Sequence, residues 1–181
     1  MVEGALKYVF DYKCYLNKIY ERHINHRKCK NKWEKPTEDF VKVNVDAALI
    51  YDGCVGLGVV CRNEEGKIVT MAVKRLKVNW KSKLADLRLG YTRLVLESDS
   101  LLLISSLDRS GDDITMEQLV TDDILHLSSF FENFRYLHVK RVGNCVAHFV
   151  AKLNPSTVDE HVWVDNFSQG VVALADSDLI N

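Results

Sequence analysis

Hydrophobic and polar positions change period once along the chain, and that change divides it. Leu6, Val9, Tyr12, Leu16 and Ile19 recur at three- and four-residue steps, which predicts an amphipathic helix over residues 5–22. His23 to Lys35 is polar and basic and runs into Pro36, the composition of a linker. Beyond it the period becomes two: Val41, Val43 and Val45 alternate with Lys42, Asn44 and Asp46, the pattern of a half-buried strand that ends at Asp46. Residues 56–62 and 67–73 read as further strands, with Asn63-Glu-Glu-Gly66 as the turn between them. A fourth strand spans Arg93 to Asp99, and Ser100 can cap a helix through Leu107. Leu119, Ile124, Leu127, Phe131 and Phe134 form a second helical stripe, and Arg135 to Lys140 a fifth strand. Asn144 is placed to cap a helix through Leu153, with Val146, Phe149, Val150 and Leu153 on its core face. His148 then projects to the other side, shared with Cys145 and Lys152.

The order β-β-β-α-β-α-β-α predicts an α/β fold with a five-stranded mixed sheet, an antiparallel meander plus two parallel strands, flanked by helices. For strand 4 to lie parallel beside strand 1, the chain needs a crossover of about a dozen residues or more. Residues 74–92 can supply it, with Ser82 and Gly90 as start and stop signals around a short helix, Lys83 to Leu89. The chain thus divides into a basic N-terminal helix and linker (1–35), the α/β domain (36–154) and a C-terminal extension packing on it (155–181).

Charge sharpens this division. The total is −1, but residues 1–35 carry +5, residues 36–153 carry −1, and residues 154–181 have five acids and no Lys or Arg. A uniformly basic nucleic-acid protein is excluded, whereas a basic head is not. The five cysteines (14, 29, 54, 61 and 145) are odd in number and lack a C-x-x-C pair, a poor framework for disulfides or zinc. Reduced thiols predict an intracellular protein, with nucleus and cytoplasm both open. No apolar run approaches the 18 or so residues of a membrane span.

The chemistry concentrates at Asp46 and Asp99. Adjacent parallel strands bring their C-terminal ends together, where open α/β sheets place ligands. Two carboxylates there could hold a hard cation such as Mg²⁺. Equally, they could be capping or solvated groups, since the chain has 25 acids.

Asn44-Val-Asp46, Gly56-Leu-Gly-Val-Val-Cys-Arg62, Leu94-Val-Leu-Glu-Ser-Asp-Ser100 and the run His138 to His148 occur in that order. Together they resemble the ribonuclease H-like domain of plant proteins and of the reverse transcriptases of plant non-LTR retroelements. Lys32-Trp-Glu-Lys-Pro36 is similar to the Trp-x-x-Pro lead-in of that domain, and Val162-Trp163 with Ala175-Asp-Ser-Asp178 to its ending. The resemblance implies metal-dependent endonucleolytic cleavage of RNA in an RNA–DNA hybrid, with Mg²⁺ or Mn²⁺ as cofactor. It implies four catalytic acidic positions, the first matching Asp46 and the third Asp99, both metal ligands. The second normally opens a long helix as Ala-Glu; here only Leu84-Ala-Asp86 is available, in a crossover helix shortened by several turns. Asp86 either replaces that Glu or belongs to the far end of a helix whose acid is deleted. The fourth position aligns with His148, a metal ligand or proton shuttle in one reading and a helix-surface histidine in the other. Arg141 and Asn144 would lie beside the site as nucleic-acid contacts, and Ala47 replaces the usual Gly.

Other signals are weaker. Gly56-x-Gly58 lacks the third glycine of a dinucleotide motif, and His23-x-x-His26-x-x-Cys29 lacks a fourth zinc ligand. Tyr8, Tyr12, Tyr15 and Tyr20 among basic residues could stack on bases or pack on protein. Ser98 and Ser100 have no His/Asp relay. Two functions remain open: a hybrid-cleaving nuclease, or an inactive remnant that binds nucleic acid or protein. Oligomeric state is not legible in the sequence.

Overall fold

The computed structural model describes residues 30–49, 55–76, 91–108, 116–153 and 160–180. The N-terminal helical stripe, its tyrosines, the His23/His26/Cys29 spacing and the crossover with Asp86 all lie outside these residues.

β1 (Val41–Leu49), β2 (Val55–Arg62) and β3 (Ile68–Leu76) form the antiparallel meander. The β2–β3 turn closes as its residues predict. Gly66 takes φ 86°, and the Asn63 side chain accepts from the Glu65 and Lys67 amides. β4 (Arg93–Ser98) joins β1 in parallel, and β5 (Asn133–His138) joins β4 in parallel. β2 and β1 therefore stand between β3 and β4 in the sheet. The sheet has six strands rather than five, in the order β5-β4-β1-β2-β3-β6. The sixth, β6 (Glu160–Trp163), pairs antiparallel with β3. Its sequence, Glu-His-Val-Trp, does not alternate and so gives no strand signal.

Helix α1 (Leu101–Leu107) starts at Ser100, whose hydroxyl accepts from the Leu103 amide at 3.2 Å. Helix α2 (Met116–Ser128) ends before the expected stripe does: Phe131 lies in the following turn, and Phe134 belongs to β5. A 3-10 turn (Arg141–Asn144) leads into α3 (Cys145–Lys152), and α4 (Gln169–Ile180) closes the described chain. Phe149, expected on the core face of α3, is 39% exposed; Ala147 and Ala151 are buried there instead.

Two apolar layers cover the sheet. Val41, Val43, Val59, Leu94 and Leu96 pack beneath Ile104, Leu107 and Leu125 of α1 and α2. Val60, Met71 and Val73 pack beneath Val146, Val150, Val171 and Ala175 of α3 and α4. Residues of the C-terminal extension thus contribute directly to the core. The alternate side chains of β1 do not face water, as a half-buried strand would require: Lys42 is 2% and Asn44 0% exposed. Lys30 to Lys35 is likewise more than a spacer. Lys30 bridges to Val139, Trp33 is 3% exposed, and a Cβ on Gly143 would strike the backbone of Lys32 and Trp33 at 2.8 Å. Among the described residues no helix is long and apolar enough to cross a membrane.

Candidate active site

Register places the two aspartates together. The last parallel pair of β1 and β4 is Val45 with Ser98, so Asp46 and Asp99 stand one step beyond it. The two-residue alternation of strands puts Asp46 on the face of Lys42 and Asn44, and Asp99 on that of Val95 and Glu97. Asp46 is not the end of its strand, because β1 continues against β2 to Leu49. The splitting of β1 from β4, with β1 still paired to β2, opens the edge where the carboxylates meet.

Helix α3 covers that edge, and Gly58 on β2, opposite Asp46, sets its distance. A Cβ at Gly58 would lie 2.4 Å from the Ala147 carbonyl oxygen and from the Ala151 amide nitrogen. Only glycine allows the helix so close, and this approach delivers His148 to Asp46. His148 Nδ1 is hydrogen-bonded to Asp46 Oδ2 at 2.6 Å, and Arg141 Nη2 lies against the same ring, 2.7 Å from Nδ1 and 2.8 Å from Nε2. Arg141 Nη1 reaches Asp99 Oδ2 at 3.2 Å. Asp46, His148, Arg141 and Asp99 therefore form a continuous chain of contacts.

Asn144 is held against Asp99 from inside the fold. It is 1% exposed and makes no capping hydrogen bond with its side chain. Its amide donates to Asp99 Oδ1 at 2.8 Å and to the Val45 carbonyl at 2.9 Å. Arg141, with a 60% exposed side chain, remains accessible. Burial raises the pKa of Asp46, and the negative charge of Asp99 and a hydrogen bond to it raise it further, while the His148 hydrogen bond lowers it. Crowded, partly desolvated carboxylates of this kind are relieved by a cation. Burial also pushes the Cys61 thiol up to about 12, too high for a nucleophile near neutral pH.

Four charged residues, three of them buried, carry no signal in the hydrophobic pattern. Lys42 pairs with Glu97 at 2.7 Å, both side chains at most 2% exposed. Arg62, with a fully buried side chain, pairs with Asp178 at 2.7 Å. Balanced charges at Lys42, Glu97, Arg62 and Asp178 were the available signal, visible only once both sheet faces are known to be covered.

The reverse transcriptase-like family profile matches residues 44–154. The chain belongs to the reverse transcriptase-like family. No protein with a curated description matches it. Among solved structures, this reverse transcriptase-like chain is similar to RNase H1 from the halophilic archaeon Halobacterium salinarum NRC-1. Identity is 18%, the TM-score 0.50, and the match covers 61% of this chain and 93% of that one. It is similar also to the N-terminal RNase H domain of a Mycobacterium tuberculosis protein, solved as a fusion with maltose-binding protein. Here identity is 17%, the TM-score 0.50 and coverage 61% and 89%. The fold is therefore ribonuclease H-like. The family match includes Asp46, Asp99, Arg141, Asn144 and His148, but not Trp33 or Asp178.

Proposed function

We propose that this reverse transcriptase-like domain binds RNA–DNA hybrids and hydrolyses their RNA strand endonucleolytically with Mg²⁺ or Mn²⁺. The observation that carries this reading is the juxtaposition of Asp46 and Asp99 beside His148, at the edge where β1 and β4 part. Mg²⁺ is commonly held by one or two carboxylates, with water and substrate phosphate completing its shell. Asp46 and Asp99, all-oxygen donors of like charge, fit that demand. Bound there, the ion supplies Lewis-acid activation of water and neutralises charge at the scissile phosphate. His148, its ring held by Asp46, is placed to take or return a proton at the site. Arg141 can leave Asp99 for a substrate phosphate and hold the backbone in register, and Asn144 keeps Asp99 aimed.

A second reading, a domain that binds nucleic acid without cleaving it, is favoured by one observation: Arg141 Nη1 already lies 3.2 Å from Asp99 Oδ2, where a cation would bind. The role of Asp86 as the second acid belongs to the first reading. Incubating labelled hybrid with the protein and Mg²⁺ or Mn²⁺ separates the two: cut RNA supports the first, binding without cutting the second. The order of the sequence motifs supports descent from a plant retroelement, and the free thiols of Cys61 and Cys145 suit the nucleus or cytoplasm.

A further inference from the structure

Behind Asp99 lies a chain of two buried amides whose polarity is set from outside the matched family region. Asn44, 0% exposed, uses its full hydrogen-bonding capacity. Its Oδ1 accepts from Trp33 Nε1 at 2.9 Å and from Arg62 Nη2 at 3.3 Å. Its Nδ2 donates to Glu97 Oε2 at 3.0 Å and to Asn144 Oδ1 at 3.2 Å. Turning this amide over would set its NH₂ against two N–H donors and its oxygen against a carboxylate. Neither contact is tolerable in a buried site.

The fixed orientation passes on. Asn144 Oδ1 is committed as acceptor to Asn44, so Asn144 Nδ2 must face the Val45 carbonyl and Asp99 Oδ1. Trp33 holds the start of the chain twice, since its indole also lies 3.6 Å beneath the Arg62 guanidinium. Arg62 in turn is anchored by Asp178 of α4.

We propose that Trp33 is a positioning residue for Asp99: its indole N–H, together with Arg62, fixes Asn44 and through it Asn144, so that an N–H donor always meets the carboxylate. The lead-in segment and α4 are then parts of the active site, not appendages. Where cation binding is the readout, the proposal rests on the function proposed above; where amide geometry is the readout, it does not.

Trp33→Phe keeps an aromatic side chain beside Arg62 and removes the N–H together with part of the buried indole, so a cavity control accompanies it. In metal-free protein, the side-chain NH₂ resonances of Asn44 and Asn144 should shift and exchange faster with solvent. In a Mg²⁺ titration followed by NMR, affinity should fall about fivefold, the loss of roughly one net hydrogen bond. Leu107→Ala, in the apolar layer on the opposite face of the sheet, controls for simple destabilisation and should leave both amides and the Mg²⁺ affinity unchanged. Unchanged Asn144 resonances in Trp33→Phe, or equal changes in Leu107→Ala, overturn the proposal. If wild-type protein takes up no Mg²⁺, the cation site falls, and the metal-free amide spectra still decide for or against the relay.

Discussion

Replacing Gly58 by alanine tests how closely α3 sits on the sheet. The added methyl would stand 2.4 Å from two backbone atoms of α3 and 2.8 Å from a third, the Ala151 Cα. Ordinary contact begins near 3.5 Å, so the helix must retreat by about 1 Å. No flexible side chain can absorb that displacement, which puts the cost at the upper end for overpacking, about 3 kcal/mol. The same retreat would stretch the 2.6 Å bond from His148 to Asp46 beyond hydrogen-bonding range. Urea denaturation measures the first effect, and the NMR signals of the His148 ring report the second. Gly170→Ala in α4 is the contrast, because its Cβ would meet only Phe149 Cζ at an ordinary 3.6 Å. That variant should be neutral or stabilising by up to about 1 kcal/mol. A Gly58→Ala protein with wild-type midpoint and His148 signals would refute the seating of the helix on β2.

Asp46→Asn should stabilise the metal-free protein at neutral pH. The raised pKa of Asp46 lends stability below the 3.8 of an unperturbed aspartate, which is lost as pH rises through the folded value. The Tm difference should therefore vanish in acid and grow toward neutrality; a difference independent of pH would contradict the assignment. Asp178→Ala leaves Arg62 buried without its charge partner and should cost about 3–5 kcal/mol in chemical denaturation. A cost below about 1 kcal/mol would show that α4 does not anchor Arg62. Arg141→Ala should weaken hybrid binding and lower the slope of log affinity against log salt by about one, with an unchanged slope counting against a phosphate contact.

The alternation of Val41, Val43 and Val45 gave strand 1 its inward face, and the sequence order correctly implied β4 beside it in parallel. Asp46 and Asp99 could be brought together on paper because parallel register is a local rule. What the opposite face of β1 does was not legible. Lys42, Asn44 and Asp46 look like a solvated row until α3 and the lead-in residues Trp33 and Glu34 are seen to cover them. That cover depends on Gly58 and on contacts more than a hundred residues apart, such as Arg62 with Asp178. Asn144 stands at the N-cap as its position before a helix suggests, but its side chain makes no capping hydrogen bond; its amide donates instead to Asp99. The four residues of β6, Glu160 to Trp163, run polar-polar-apolar-apolar and so carry no two-residue period.

Cleavage of a labelled RNA–DNA hybrid by wild type and Asp46→Asn, with and without Mg²⁺ or Mn²⁺, tests hydrolysis at the Asp46–Asp99 site most directly. RNA fragments are expected from the wild type only when the cation is present, and none from the variant. Equal cleavage by both proteins, or cleavage by neither, would contradict hydrolysis at that site.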